Sequence, residues 1–316
     1  MDGGVNSAEE TSKINYLISC VLSVFCRVAV NCFYMISGFF IRKSNDEITP
    51  QYIGNVVFKQ YKKIWLYSVL IFFVAIVGKI VEFSANGFLN ALFPIMSNTW
   101  WFATVFLLLM CLRPFIGKVL IEVKDRELAV LLTCVGFFDT IQAAMGANAF
   151  GERGAGILHA AFMLMVGYVI KRWDGFNLSK WRASLLYFGS CLIAGAWAIV
   201  EKKVFGAEDA HIVYYNSPLI VVAAIGFFIF FLRVNCTWKW PNSIAPYVFA
   251  IYLINDHPIV REFAWQEILH CSSYYGSKLM IFHWMFSVAL FATVGLAVDW
   301  LMEKLTSHIP ILGREN

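Results

Sequence analysis

Charge is scarce in this chain. Asp, Glu, Lys and Arg make up 15% of 316 residues, against about 25% in soluble domains. Too few charged groups are present to cover a water-facing surface, and with a hydrophobic share of 59% a soluble globular protein is excluded. Pro-, Ser- or Gln-rich tracts are missing as well. Together with a mean hydropathy of +0.66, their absence excludes disorder, collagen and coiled coil. The net charge of +4 is small, so nucleic acid is not an expected partner. No secretory signal is expected at the start of the sequence, because Met1–Lys13 carries Asp2, Glu9 and Glu10 where a basic segment should lead into a short apolar core. The eight cysteines are scattered through apolar runs without CxxC or a zinc-type Cys/His spacing, so no metal is expected. GxSxG, HExxH, P-loop and GxGxxG motifs are all absent, which leaves no support for a hydrolase elbow, a zincin, an NTPase or a dinucleotide enzyme. No linker, low-complexity stretch or repeat divides the chain. Residues 1–316 are read as a single integral membrane domain with residues 1–15 as a polar extracytoplasmic N-terminus.

What is present is a series of apolar runs. A spanning helix needs about 20 mostly apolar residues, and nine runs come near this: Tyr16–Ile41, Ile64–Val81, Trp101–Leu120, Glu127–Ala144, Ile157–Ile170, Ala183–Val200, Pro218–Leu232, Ile244–Val260 and Leu279–Met302. The fold class is therefore all-α, a polytopic transmembrane helix bundle of about nine spans. The fifth, seventh and eighth runs are short or interrupted. Pro246 and the sequence Asn255-Asp256-His257-Pro258 make the eighth a candidate for a broken helix lining a cavity. Sorting Lys and Arg into alternate loops puts 17 on one side and 7 on the other, with Arg27 inside a span. By the positive-inside rule the richer side is cytoplasmic, which places Met1 outside and Asn316 inside. The outer loops are aromatic, as in Phe83-Ser84-Ala85-Asn86-Gly87-Phe88 and Tyr214-Tyr215-Asn216-Ser217-Pro218. They suit interfacial segments or a face that stacks on sugar rings, the former being the commoner use of aromatics at a membrane boundary.

Ionisable groups inside spans cost about 2.5–3.5 kcal/mol at a helix centre, so each is a candidate for function. Arg27 lies deep in the first run, unless the helix starts near Val28 and leaves it at the outer interface. Asp256 and His257 end the eighth run. On a continuous helix they would point about 100° apart, so they are read as members of one polar cluster, with Pro258 breaking the helix and Arg261 able to pair with Asp256. A histidine there could serve as general base on a hydroxyl. His159, His283, Asp139 and Asp299 are isolated in sequence and are read first as structural hydrogen-bonders. Ser37-Gly38, small residues among bulky aromatics, indicates a close helix crossing rather than a serine nucleophile. Lys59, Lys62 and Lys63 sit at the cytoplasmic mouth of the second span. They fit two uses: an orientation signal on anionic lipid, and a docking site for a polyanionic donor such as a nucleotide-bearing thioester.

The run Val30-Asn31-Cys32-Phe33-Tyr34-Met35-Ile36-Ser37-Gly38-Phe39-Phe40-Ile41 resembles a characteristic segment of the acyltransferase family 3 membrane proteins. Ser97-Asn98-Thr99-Trp100-Trp101-Phe102 with Leu112-Arg113-Pro114-Phe115 is similar to a stretch of the branch associated with surface polysaccharides, as are Tyr214–Pro218 and Ala250–Pro258. The resemblance implies an integral-membrane O-acyltransferase, typically of ten spans, moving an acyl group, usually acetyl, from cytoplasmic acyl-CoA to a hydroxyl of an extracytoplasmic glycan. It implies that Lys59, Lys62 and Lys63 hold the donor where the family often has arginine, and lysine keeps the charge without the bidentate fork. Asn255 stands where the branch usually has histidine, with His257 two residues later. The family helix that carries the presumed catalytic histidine has no counterpart after Met1, so the chain as written is expected to be inactive or severely impaired.

Two functions are carried forward. One is an acyltransferase with Asp256, His257 and Arg27 as catalytic candidates and Lys59, Lys62 and Lys63 as the donor-binding set. It would hold no permanent cofactor, take acetyl-CoA or another acyl-CoA as substrate, and act on a cell-surface polysaccharide or lipid-linked glycan from the bacterial cytoplasmic membrane. The other is a glycan-precursor transporter or flippase without covalent chemistry, less favoured for want of an inverted repeat. Cysteine labelling of substitutions at Ser7 and Arg314 is expected to place the two on opposite sides of the membrane. Both on one side would refute the nine-span count.

Overall fold

The computed structural model describes residues 11–43, 47–146, 152–206 and 210–306. Met1, Ser7, Arg314 and Asn316, used above for topology, lie outside them. The described residues are helical, without strands. The helices in chain order are α1 (Lys13–Phe39), α2 (Pro50–Val77), α3 (Ala85–Leu92), α4 (Trp101–Glu122), α5 (Asp125–Ala144), α6 (Ile157–Arg172), α7 (Lys180–Val204) and α8 (Pro218–Leu232), then α9 (Trp240–Ile244), α10 (Val248–Asp256), α11 (Pro258–Glu262) and α12 (Met280–Thr306). Among the described residues seven segments are long and apolar enough to cross a membrane: α1, α2, α4, α5, α7, His211–Leu232 and α12. They coincide with seven of the nine apolar runs. The fifth run forms α6, a helix of 16 residues, and the eighth is broken into short pieces. In hydrocarbon only a helix satisfies its own backbone, which is why long apolar runs take this form and no other.

Two compact units divide the chain, one made of residues 1–15, 57–104 and 237–316, the other of residues 16–56 and 105–236. In the second unit α6 is the most enclosed helix, with ten of its sixteen residues buried. It crosses α1 where both lack side chains: a Cβ on Gly38 would strike the Leu164 carbonyl, and one on Gly167 the Met35 backbone. The crossing indicated by Ser37-Gly38 is thus a contact of two backbones, each helix supplying the glycine that admits the other.

The basic residues at one end of this unit close helix ends. Arg113 donates to the carbonyls of Ser37 at 2.9 Å and Phe40 at 3.1 Å, and Lys171 donates to Ile41 at 2.8 Å. Arg172 donates to Leu120 at 2.9 Å, and Arg233 to Leu178 at 3.3 Å and to Asp174 at 2.6 Å. The last carbonyls of a helix have no partner within it and carry partial negative charge, so cations at the C-terminal ends of α1 and α4 satisfy both requirements at once.

In the first unit, the eighth apolar run is divided by its prolines. Pro246 lies in the turn Ala245–Tyr247 before α10, and Pro258 follows His257, whose backbone is extended at φ −64° and ψ 126°. A proline ring excludes the helical conformation from the residue before it, so α10 stops at Asp256 and α11 begins a new direction. Trp100, buried just before α4, donates its indole N–H to the Leu253 carbonyl of α10 at 3.0 Å.

Gly38→Val and Gly167→Val are each expected to lower stability by about 1–3 kcal/mol or more, the range for overpacking a filled interior. The Gly54→Val control, where a Cβ meets nothing within 4 Å, is expected to be mild. Thermal unfolding in detergent compares the three.

Candidate functional site

The first unit holds a cavity of 440 Å³ lined by Lys59, Lys62, Lys63 and Tyr67 from α2, Pro246 and Phe249 around the start of α10, and Asp299 and Glu303 from α12. Spacing explains the lining. Lys59, Lys63 and Tyr67 are four residues apart and share one face of α2, while Asp299, Glu303 and Thr306 share one face of α12. Lys63 Nζ lies 2.6 Å from Asp299 Oδ2, and the Tyr67 hydroxyl donates to Asp299 Oδ1 at 2.7 Å. The Asp299 side chain is 7% exposed and that of Lys63 21%. A carboxylate this deep needs a counter-charge and a donor on each oxygen, and it has both. Lys63 also reaches the Pro246 carbonyl at 3.4 Å.

All three lysines named from sequence therefore meet in one cavity, but they are not equivalent. Lys63 is committed to Asp299, so the rest of the cavity's charge is set by Lys59 and Lys62 together with the carboxylate of Glu303. Asp299, read from sequence as a structural hydrogen-bonder, is the anion that organises this wall. Its partner Tyr67 was not among the candidates, although its place one turn beyond Lys63, at the start of the apolar half of the helix, was a usable signal.

At the far end of α10, about 10 Å along the helix from Phe249 at 1.5 Å per residue, stands the second polar group. Arg261 pairs with Asp256 at 3.2 Å. His257 is 7% exposed, its ring packs edge-on against Trp100 at 5.3 Å, and its Nδ1 accepts the Ile259 N–H at 3.3 Å. That bond caps α11, and it leaves the neutral ring its proton on Nε2. Asn255 accepts the Trp265 indole N–H on Oδ1 at 2.9 Å. Trp100 and Trp265 thus fasten the broken helix from two sides.

Arg27 belongs to the second unit. Because α1 is continuous from Lys13, Arg27 lies in mid-helix rather than at a helix start. Its guanidinium lies over the Tyr215 ring at 5.3 Å, where a desolvated cation gains from the electron-rich face.

Asp299→Asn is expected to destabilise the protein by about 3 kcal/mol, the lower end for breaking a buried pair, since Lys63 keeps part of its side chain in reach of water. Replacing both partners, Lys63→Met with Asp299→Leu, is expected to restore most of the loss. Melting curves of the purified protein in one detergent decide this, and additive losses would show that the pair is not coupled.

No curated protein matches the chain, and no solved structure matches it either. The model of one family, described as an acyltransferase domain, matches residues 2–302. That match spans both compact units, the basic cavity and the broken helix, and with seven helices able to cross a bilayer it makes this a multi-pass membrane protein that belongs to acyltransferase family 3.

Proposed function

We propose that the protein is an O-acyltransferase of the cell membrane, moving an acyl group, most simply acetyl, from cytoplasmic acyl-CoA to a hydroxyl of an extracytoplasmic polysaccharide or lipid-linked glycan. The observation that carries this reading is that α10 joins the basic cavity at one end to the Asp256, His257 and Arg261 group at the other. Lys59 and Lys62 would hold the phosphates of the donor as charge-assisted hydrogen bonds, with Lys63 positioning the wall through Asp299. The hydroxyl oxygen of the acceptor would attack the thioester carbon. The new C–O bond forms as the C–S bond breaks, the hydroxyl proton passes to a base, and the thiolate leaves to take up a proton.

His257 is the base in this reading. Its one lone pair, on Nδ1, faces the Ile259 N–H at 3.3 Å, beyond the usual 2.7–3.2 Å of a good N–H bond, so releasing that contact costs little. Asp256, held by Arg261, would steady the resulting imidazolium. Arg27, in the second unit, is kept as a candidate catalytic cation. The donor is a substrate, and no permanent cofactor is invoked.

Purified protein in proteoliposomes, supplied with labelled acetyl-CoA and surface glycan, tests the assignment by transfer of label. Glycan that crosses the membrane without gaining label would support the transporter reading instead. Lys59→Gln with Lys62→Gln is expected to weaken acyl-CoA binding about tenfold or more, and unchanged binding would reduce these lysines to orientation signals. Removing Lys63 is a poorer test because it strands Asp299. In any full-length, active version of the protein His257→Ala is expected to cut transfer about 10²–10⁴-fold, the range for general acid–base assistance, and full activity would remove His257 from the chemistry.

A further inference from the structure

In the second unit three polar side chains from three helices join end to end. Asn31 of α1, Asp139 of α5 and His159 of α6 are 0%, 4% and 1% exposed. His159 Nδ1 lies 2.7 Å from Asp139 Oδ2, and its Nε2 lies 2.9 Å from Asn31 Oδ1. At the other end of its amide, Asn31 donates from Nδ2 to the Tyr215 carbonyl at 2.9 Å.

The ends of this chain determine its protons. A backbone carbonyl can only accept, so Asn31 must turn its NH₂ toward Tyr215 and its oxygen toward His159. That oxygen requires a proton on Nε2. Flipping the amide would set oxygen against oxygen at Tyr215, which moves the conflict without removing it. At the other nitrogen, Nδ1 faces a carboxyl oxygen, so one more proton must lie between them, on the ring or on the acid. A neutral imidazole beside an ionised carboxylate has one proton too few. Whichever nitrogen carries it, two lone pairs then oppose each other at 2.7 or 2.9 Å, away from water that could relieve them.

We infer that Asp139 and His159 together bind two protons in the folded protein, one on Nε2 and one between Nδ1 and the carboxyl group, forming a buried proton site of net zero charge. This site goes beyond the acyl-transfer reading and does not depend on it. Its consequence is mechanical. The proton on Nε2 holds Asn31 in the orientation that fastens Tyr215, and Asn216 donates from Nδ2 to the Asp139 backbone carbonyl at 2.9 Å. The Tyr215-Asn216 turn is thus tied to α1 and α5 together. The groups around the site are Asn31 and Arg27 on α1, Asp139 on α5, Phe162 on α6, and Tyr215 and Asn216 on the turn. Arg27 lies over the Tyr215 ring at 5.3 Å, and the Phe162 ring lies 6.4 Å from that of His159.

The proton count is measurable on the full chain in lipid nanodiscs at neutral pH. Nitrogen-15 spectra of labelled histidine, with His159 assigned by loss of its signals in His159→Gln or His159→Asn, report both ring nitrogens. Infrared difference spectra report whether Asp139 is a carboxylic acid. Two protonated ring nitrogens, or one protonated ring nitrogen with a protonated Asp139, is the expected result. A singly protonated ring beside an ionised Asp139 would overturn the inference. Asp139→Asn gives an independent check through hydrogen exchange of the segment around residues 211–217. Its amide can donate to Nδ1 and keep the proton on Nε2, so it is expected to match the parent within about twofold. Asn31→Ala is expected to speed exchange about tenfold, as the loss of one buried hydrogen bond warrants. A carboxylate that merely accepts from Nδ1–H leaves Nε2 bare and Asn31 unable to fasten Tyr215, so unchanged exchange in Asn31→Ala, or faster exchange in a folded Asp139→Asn protein, would refute the site.

Discussion

Inside a bilayer no water is available to complete a hydrogen bond, so every polar group that a helix carries into the interior must be completed by another helix. The packing of this protein follows from that constraint more than from its apolar surface, because lipid tails solvate Leu and Phe as well as a protein does. Asp299 could not remain on α12 without Lys63 and Tyr67 on α2. Asp139 could not remain on α5 without His159, nor His159 on α6 without Asn31. Each polar set specifies which helices meet, and at which turn.

The same requirement gives glycine and proline their places. Backbone contact between α1 and α6 exists because Gly38 and Gly167 present no side chain at the crossing. The break between α10 and α11 exists because Pro258 bars His257 from helical geometry. A break in hydrocarbon frees backbone groups, and here the His257 ring accepts the N–H of Ile259 while Trp100 supplies a donor to Leu253. Function and stability therefore compete for His257: its Nδ1 closes a helix end, and the proposed chemistry asks for the same lone pair.

The cations show a second division of labour. Arg113, Lys171, Arg172 and Arg233 are occupied with carbonyls at helix ends and loops, and Lys63 with Asp299. A basic end of a membrane protein is thus not uniformly a binding surface. What separates Lys59 and Lys62 from the others is that they line a cavity in which Lys63 already balances Asp299.

Much of this was legible in the chain itself. Seven of nine apolar runs became helices able to span a membrane, because length and apolarity alone decide whether a segment can cross. The break of the eighth run was written in Pro246 and Pro258, and the crossing of α1 in Ser37-Gly38, since proline and glycine act on backbone geometry within a few residues. The family was legible in four short segments, and its model matches residues 2–302. Pairings between helices were not legible. Asp139 and His159 are 20 residues apart, Lys63 and Asp299 236 apart, and no local rule connects them. Which polar residue completes which other depends on helix rotation and depth, and those are settled only when all the helices pack together.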